Sequence, residues 1–305
     1  MKTRRTQKLL FATAVLSVTA LVAAGCGSGA ETGTDTSPAP SASPSGAVSS
    51  IAAQVPGSVK ANGALTVAAD ATYAPNEFVA TDGRTVIGFD ADLAKELGQV
   101  LGLKVNVINA TFDTIIPGLA SGKYDLGISS FTDTKEREQT VDFVTYFRAG
   151  TSFYVKSSGG TDIKSLADLC GRTVAAEKGT TQAADAQDQS AKCRSAGKPS
   201  VTVQVYNDQN AVNLALSSDR AQIAMADSPV AAYQVKQSKA ALKVTGSPYG
   251  TAPYGIAIPK DSGMADPVLA AVKHLMAEGT YMKILEKWGV QGGAISNPAI
   301  NAAVS

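Results

Sequence analysis

Between residues 64 and 237 this chain alternates short apolar runs with amphipathic stretches, stops, and then starts the same alternation again; no other feature limits its fold so strongly. Residues 65–69 form an apolar run ended by Asp70, the pattern of a buried strand. Residues 86–89 read as a second short strand. Asp90 is then placed as the N-cap of a helix whose Leu93, Leu97 and Leu101 share one face and which Gly102 closes. Residues 104–108 alternate as a strand, 113–120 read as a helix stopped at Gly122, and 125–129 as a strand leading into a polar, capped segment at 132–137. The pattern resumes with strands at 172–176, 201–206 and 221–226 and helices at 180–192, 209–216 and 229–237. Residues 267–288 read as two more helices, with Leu269, Val272, Leu275 and Met276 on one apolar face. Strand–helix alternation of this kind means βαβ units and mainly parallel sheets. Two such units give an α/β protein of two lobes, with a ligand cleft where the strands' carboxyl ends face each other.

Charge narrows the partners. The formal net charge is +1, but Lys2, Arg4, Arg5 and Lys8 stand at the N-terminus with no acid among the first residues; without them 23 Lys and Arg face 26 Asp and Glu. A slightly acidic chain with no basic stripe argues against nucleic acid. The basic start, an apolar run over 9–24 and the small residues before Cys26 read as an export signal. Small residues followed by Cys are similar to a bacterial lipobox, in which Cys26 becomes the lipid-modified first residue; the alternative is a plain secretory signal with an incidental Cys. Arg4 and Arg5 lack the apolar pair usual after a twin-arginine signal, so general secretion is expected. Residues 1–25 are thus expected to be a signal peptide and 26–60 a lipid-anchored flexible tether, since the Gly, Ser, Thr, Ala and Pro that dominate up to residue 50 cannot bury enough apolar surface to fold. The expected location is the outer face of the cell membrane. In an exported protein Cys170 and Cys193 are expected to pair, two free buried thiols being the alternative.

Seven segments resemble the polar-amino-acid family of bacterial solute-binding proteins, whose two-lobed fold is shared with the ligand cores of ionotropic glutamate receptors. They are residues 70–75, 88–94, 112–119, 129–137, 178–182, 226–229 and 254–257, in that order. A free amino acid presents a carboxylate, an ammonium and a side chain. Arg137 is the natural carboxylate clamp, because a guanidinium makes two parallel hydrogen bonds to a carboxylate; a solvated charge beside Glu136 and Glu138 is its bland alternative. The resemblance implies backbone donors at Thr132 and Thr181 near helix starts, Thr180 as a further ligand-binding residue, and Asp227 as acceptor for the ammonium. It also implies Tyr73 packed flat on the ligand, Asp70 touching the ligand side chain, and Ser129 and Ser130 at a strand end holding the ammonium or the side chain. Asp70 reads equally well as a turn or cap residue. Asn76 stands where the family usually has an aromatic, and an amide there reads either as a contact to a polar side chain near the pocket mouth or as loop surface.

The implied protein is an ABC importer's substrate-binding component, a monomer that hands a polar amino acid to a permease and needs no cofactor and no metal. Asp70 leans toward arginine, histidine or glutamine. Lobe 1 is expected to take 61–153 and 253–305 and lobe 2 154–252, crossing near Tyr154 and Tyr254. Two rivals remain: a dehydratase or lyase on the same fold, and a sensor domain for a signalling partner. His274, the one histidine, sits on an amphipathic helix far from every pocket motif, which leaves no Ser–His or Cys–His pairing for nucleophilic catalysis.

Overall fold

The computed structural model describes residue 46 and residues 48–304; Cys26, the signal segment and most of the expected tether lie outside them. Two short helices, α1 (Ser49–Ala52) and α2 (Gly57–Asn62), precede the first strand, where a tether to residue 60 is expected. The difference comes from Ile51 and Val55, which are buried in the core beside Leu97 and Val268. Their apolar contacts order a stretch whose composition alone reads as loose.

The first lobe is built from β1 (Ala64–Ala69), β2 (Thr72–Tyr73), β3 (Glu77–Val79), β4 (Val86–Ile87), α3 (Phe89–Leu101), β5 (Lys104–Asn109), α4 (Phe112–Ala120) and β6 (Leu126–Gly127). The long β7 (Val141–Lys156) leads into the second lobe, made of β8 (Thr173–Glu177), α5 (Thr181–Ser195), β9 (Thr202–Tyr206), α6 (Gln209–Ser217), β10 (Ile223–Asp227) and α7 (Ser228–Gln237). An equally long β11 (Leu242–Pro259) returns to the first lobe, where α8 (Ala265–Ala277) and α9 (Thr280–Trp288) pack against α3. Leu93, Leu97 and Leu101 all lie in the core, as their spacing requires. Asp90 is not the cap of α3. It lies inside the helix, and Gly88 stands at the N-cap with φ 128°, where a side chain would collide with the Asn76 carbonyl. Among the described residues no helix is long and apolar enough to cross a membrane.

One eight-stranded sheet runs through both lobes in the order β5-β1-β6-β11-β7-β10-β8-β9, while β2-β3-β4 form a small separate sheet. β5, β1 and β6 are parallel, as are β10, β8 and β9; β11 and β7 run antiparallel to each other and to their outer neighbours. β7 pairs with the returning half of β11 up to Ala149↔Ala252, and from Thr151 onward with β10 as well. β7 thus gains its partner from the second lobe between Ala149 and Thr151, near the crossing expected at Tyr154. Register shifts on either side of Tyr249 sit at this crossing, and such irregularities bend a strand. Gly150 lies at the bend, where a Cβ would come within 2.7 Å of the Tyr249 carbonyl.

Cys170 and Cys193 are bridged, with Cα atoms 5.7 Å apart, tying the turn before β8 to the end of α5. For a sequence separation of 23, loop closure gives the bridge about 3 kcal/mol of stability. Urea unfolding with and without reductant should show a loss of that order. An unchanged midpoint, or two free thiols in non-reduced peptides of the exported protein, would contradict it.

Candidate functional site

Asp70, Tyr73, Ser129, Ser130, Thr132, Arg137, Thr180, Thr181 and Asp227 line one cavity, together with Glu77, Phe112, Glu177 and Gln182. The placement follows from topology. Asp70 follows β1, Ser129 and Ser130 follow β6, Glu177 ends β8 and Asp227 ends β10, so parallel strands from both lobes point their carboxyl ends at one space.

Arg137 opens a short 3-10 turn and is not a solvated charge. Its guanidinium lies over the stacked rings of Phe112 and Phe131, 5.4 and 5.5 Å from their centroids. Nη1 donates to the Thr132 carbonyl at 2.8 Å and Nη2 to the Gly179 carbonyl, in the other lobe, at 2.9 Å. The remaining N–H groups are left for a ligand. Removal from water draws the Arg137 pKa down to about 10. Thr132 does not open a helix as expected; it forms an antiparallel bridge with Tyr254 whose hydrogen bonds run from the Gly255 N–H to the Phe131 carbonyl and from the Asp133 N–H to the Pro253 carbonyl, so the bridge leaves the Thr132 N–H unused. Thr181 does begin α5, with Thr180 as its cap: Thr180 Oγ1 accepts from the Ala183 N–H at 3.2 Å. The α5 N-terminus thus aims its dipole and unpaired N–H groups at the cavity.

Asp227 faces the same space fully partnered. The Tyr73 hydroxyl donates to Oδ2 at 3.1 Å and accepts from the Asp227 N–H at 2.9 Å, while Gln182 donates to Oδ1 at 2.8 Å. Burial pushes the Asp227 pKa up to about 6. Asp70 has the contacts of a turn or cap residue and also faces the cavity. It accepts from the Thr72 hydroxyl at 2.7 Å and from the N–H of Phe112, the first residue of α4, at 2.9 Å.

The serine hydroxyls, which line the cavity, are engaged by Glu77, which lines it too. Ser129 Oγ accepts from the Asp70 N–H and donates to Glu77 Oε1 at 3.0 Å; Ser130 Oγ donates to Glu77 Oε2 at 3.1 Å. Ser130 is held at φ 51°, uncommon for a residue with a Cβ, and its N–H donates to Asp90 Oδ2 at 2.8 Å. Asn76 is fully buried behind these serines, donating to Ser130 Oγ at 2.8 Å, and is not at the pocket mouth. Burial raises both Glu77 and Asp90 above the usual carboxylate range, and the two lie close enough to share a hydrogen bond.

The sequence assigns no role to Glu77, Phe112, Glu177 or Gln182. Gln182 and Phe112 sit inside recognised segments, but their neighbours carry the recognisable chemistry. Glu177 precedes such a segment and reads as surface charge; its signal was position, the last residue of a parallel strand. Burial and then the Asp70, Asp208 and Asp227 carboxyls push its pKa up to about 10. His274 stands apart, 3.2 Å from Glu278 on α8. Among the described residues no group of three or more His, Cys, Asp or Glu is placed to hold a metal ion.

Against known proteins, residues 65–291 match the family described as bacterial extracellular solute-binding proteins, family 3. The chain is 33% identical over 255 residues to the arginine-binding protein ArgT of Corynebacterium glutamicum, covering 83% of each chain. Its fold is similar to that of an ancestral arginine-binding protein bound to glutamine, at 38% identity and a TM-score of 0.67 over 75% of this chain and 98% of that one. It is also similar to an ancestral amino acid-binding protein that is a precursor of cyclohexadienyl dehydratase, at 35% identity and a TM-score of 0.65 over 76% of this chain and 97% of that one. A match across nearly the whole folded region, over a two-lobed frame with a polar cavity between its strand ends, means that the chain belongs to the bacterial extracellular solute-binding proteins, family 3.

Proposed function

We propose that this protein captures an amino acid outside the cell and delivers it to the permease of an ABC importer. The observation that carries the reading is a single cavity in which a guanidinium on an aromatic pair and the start of α5 face a buried Asp227. That is one anion site and one cation site within a small enclosed space, the complement of a zwitterion. Arg137 and the N–H groups at Thr181 take the ligand carboxylate, Asp227 the ammonium, and Tyr73, Thr180, Asp70 and the Ser129–Ser130 backbone shape the rest. The relatives support the class, since each is named for binding an amino acid, arginine in two cases. They also favour binding over turnover, because the relative on the path to a dehydratase is itself an amino acid-binding protein.

The location follows from the N-terminus. Cys26 carries the lipid, residues 1–25 are removed, and the tether holds a monomeric binding domain near its permease. The domain divides into 61–153 with 253–305 as the first lobe and 154–252 as the second.

A thermal-shift screen of amino acids tests the class, because a ligand at about 100 times its dissociation constant stabilises by about 2.7 kcal/mol; no shift with any of them would sink it. Arg137→Ala should weaken binding by about 2–5 kcal/mol, since it leaves a buried anion unpaired. The melting temperature without ligand should change little, and normal affinity would remove the clamp role. Cys26→Ala should move the protein from the membrane fraction to the soluble one, because each acyl CH₂ contributes about 0.8 kcal/mol to anchoring. Retention of the variant in the membrane would place the anchor elsewhere.

A further inference from the structure

Of the carboxylates lining the cavity, Glu177 is the one with an oxygen left over. It is 2% exposed, and among the described residues no donor reaches Oε1. The other three are held: Glu77 by the Ser129 and Ser130 hydroxyls, Asp70 by Thr72 and the Phe112 N–H, Asp227 by Tyr73 and Gln182. Lys178, the next residue, does not neutralise Glu177. It reaches across to Asp113 at 2.8 Å with its side chain 57% exposed. A buried carboxyl oxygen without a donor is unfavourable unless the group keeps its proton or receives a cation.

The charges are also segregated. Those bearing most on Arg137 are Asp227 and Glu136, whereas the charge bearing most on Glu177 is Asp70. The cavity thus has a guanidinium end and a carboxyl end, with Asp227 felt at both. An amino acid's carboxylate and ammonium occupy Arg137 and Asp227, which leaves Asp70 and Glu177 facing the ligand side chain. We propose that Glu177 is a specificity-determining residue that, with Asp70, receives a cationic side chain of the bound amino acid and releases its own proton to solvent as it does so. This rests on the amino-acid reading above and adds to it a charge class and a proton.

The surroundings of Glu177 give the sign. It is faced by Asp70 after β1, Asp208 at the α6 cap and Asp227 ending β10, and by the phenols of Tyr73 and Tyr154 on β2 and β7. With these neighbours, burial in the closed, unfilled cavity pushes the Glu177 pKa up to about 10 and keeps the proton on it. A cation needs the carboxylate, so binding releases about one proton, and affinity rises with pH by up to about tenfold per unit below that value. A neutral side chain makes no such demand.

Calorimetry on the full folded domain, with arginine and its uncharged isostere citrulline, in buffers of different ionisation enthalpy and at several pH values, tests this. The wild type should bind arginine more tightly than citrulline, release about one proton with arginine and about none with citrulline, and bind arginine more tightly as pH rises. Glu177→Gln should lose about 30-fold or more of its arginine affinity, the loss expected for truncating a buried charge pair, and should bind arginine without releasing a proton, while its unfolding transition without ligand reports that it is folded. Equal arginine binding by wild type and variant, or arginine binding without proton release, overturns the role of Glu177 while leaving the amino-acid reading intact. Should the wild type bind no amino acid at all, both fall together.

Discussion

The antiparallel pairing of β7 with β11 runs through both lobes, so each strand gives one end to the sheet of the first lobe and the other to that of the second. A sheet this long would be stiff if its ladder were regular. The register shifts around Tyr249, opposite Gly150, interrupt it where the chain passes between lobes. The interruption concentrates bending in two short backbone segments, the usual form of a hinge. Everything in the site depends on this arrangement, because neither lobe contains a complete site. Arg137, Asp70 and Tyr73 come from one side, and Glu177, Thr181 and Asp227 from the other.

Electrostatics then decides what the closed cavity tolerates. Removing carboxyls from water favours their neutral forms; at Asp227 this outweighs the hydrogen bonds and the Arg137 charge that oppose it, and at Glu177 the neighbouring carboxyls add to it. The effect is graded by partners. Asp227, with hydrogen bonds to both oxygens and Arg137 nearby, rises to about 6 and is largely ionised at neutral pH. Glu177, without a donor at Oε1 and among three other acids, rises to about 10. Two carboxyls lining one cavity are thus set in opposite protonation states by their surroundings alone.

Much of this was legible in the residues. The strand–helix alternation gave nearly every element of both lobes, because buried parallel strands and amphipathic helices write their periods directly into the sequence. The site was legible where side-chain chemistry is distinctive, as at Arg137 and Asp227. It was not legible where tertiary packing overrides local pattern. Ile51 and Val55 order a stretch of weak composition because a core lies beside them. Asp90 looks like a cap, but Gly88 holds that position through a backbone conformation that no pattern of polarity reveals. Ser129 and Ser130 have their hydroxyls engaged by Glu77, a contact over more than fifty residues of sequence. Glu177 escaped notice for the same reason: beside Lys178 it resembles half of a surface pair, and only the strand ending separates an inward side chain from an outward one.

The contacts that close the cleft are largely those that build the site. Tyr73 meets Asp227, Arg137 meets the Gly179 carbonyl, and Thr72 Oγ1 accepts from the Gln209 N–H at 3.1 Å, each joining one lobe to the other. The Lys178–Asp113 pair also crosses, but it is exposed, and such pairs contribute only about 0–1 kcal/mol. Closure therefore draws its free energy from buried polar groups whose own desolvation opposes it. With the cavity unfilled, Arg137 and the carboxyls lose water without gaining a full set of partners, so the gain from closing is small. A ligand that supplies an anion at one end and cations at the other removes that opposition at every charged group at once. It binds the closed arrangement in preference to the open one because only the closed arrangement offers both ends, and that difference in affinity is what a population shift requires. Recognition and closure are in this protein one set of atoms, which is why a mismatch in ligand charge should weaken both together.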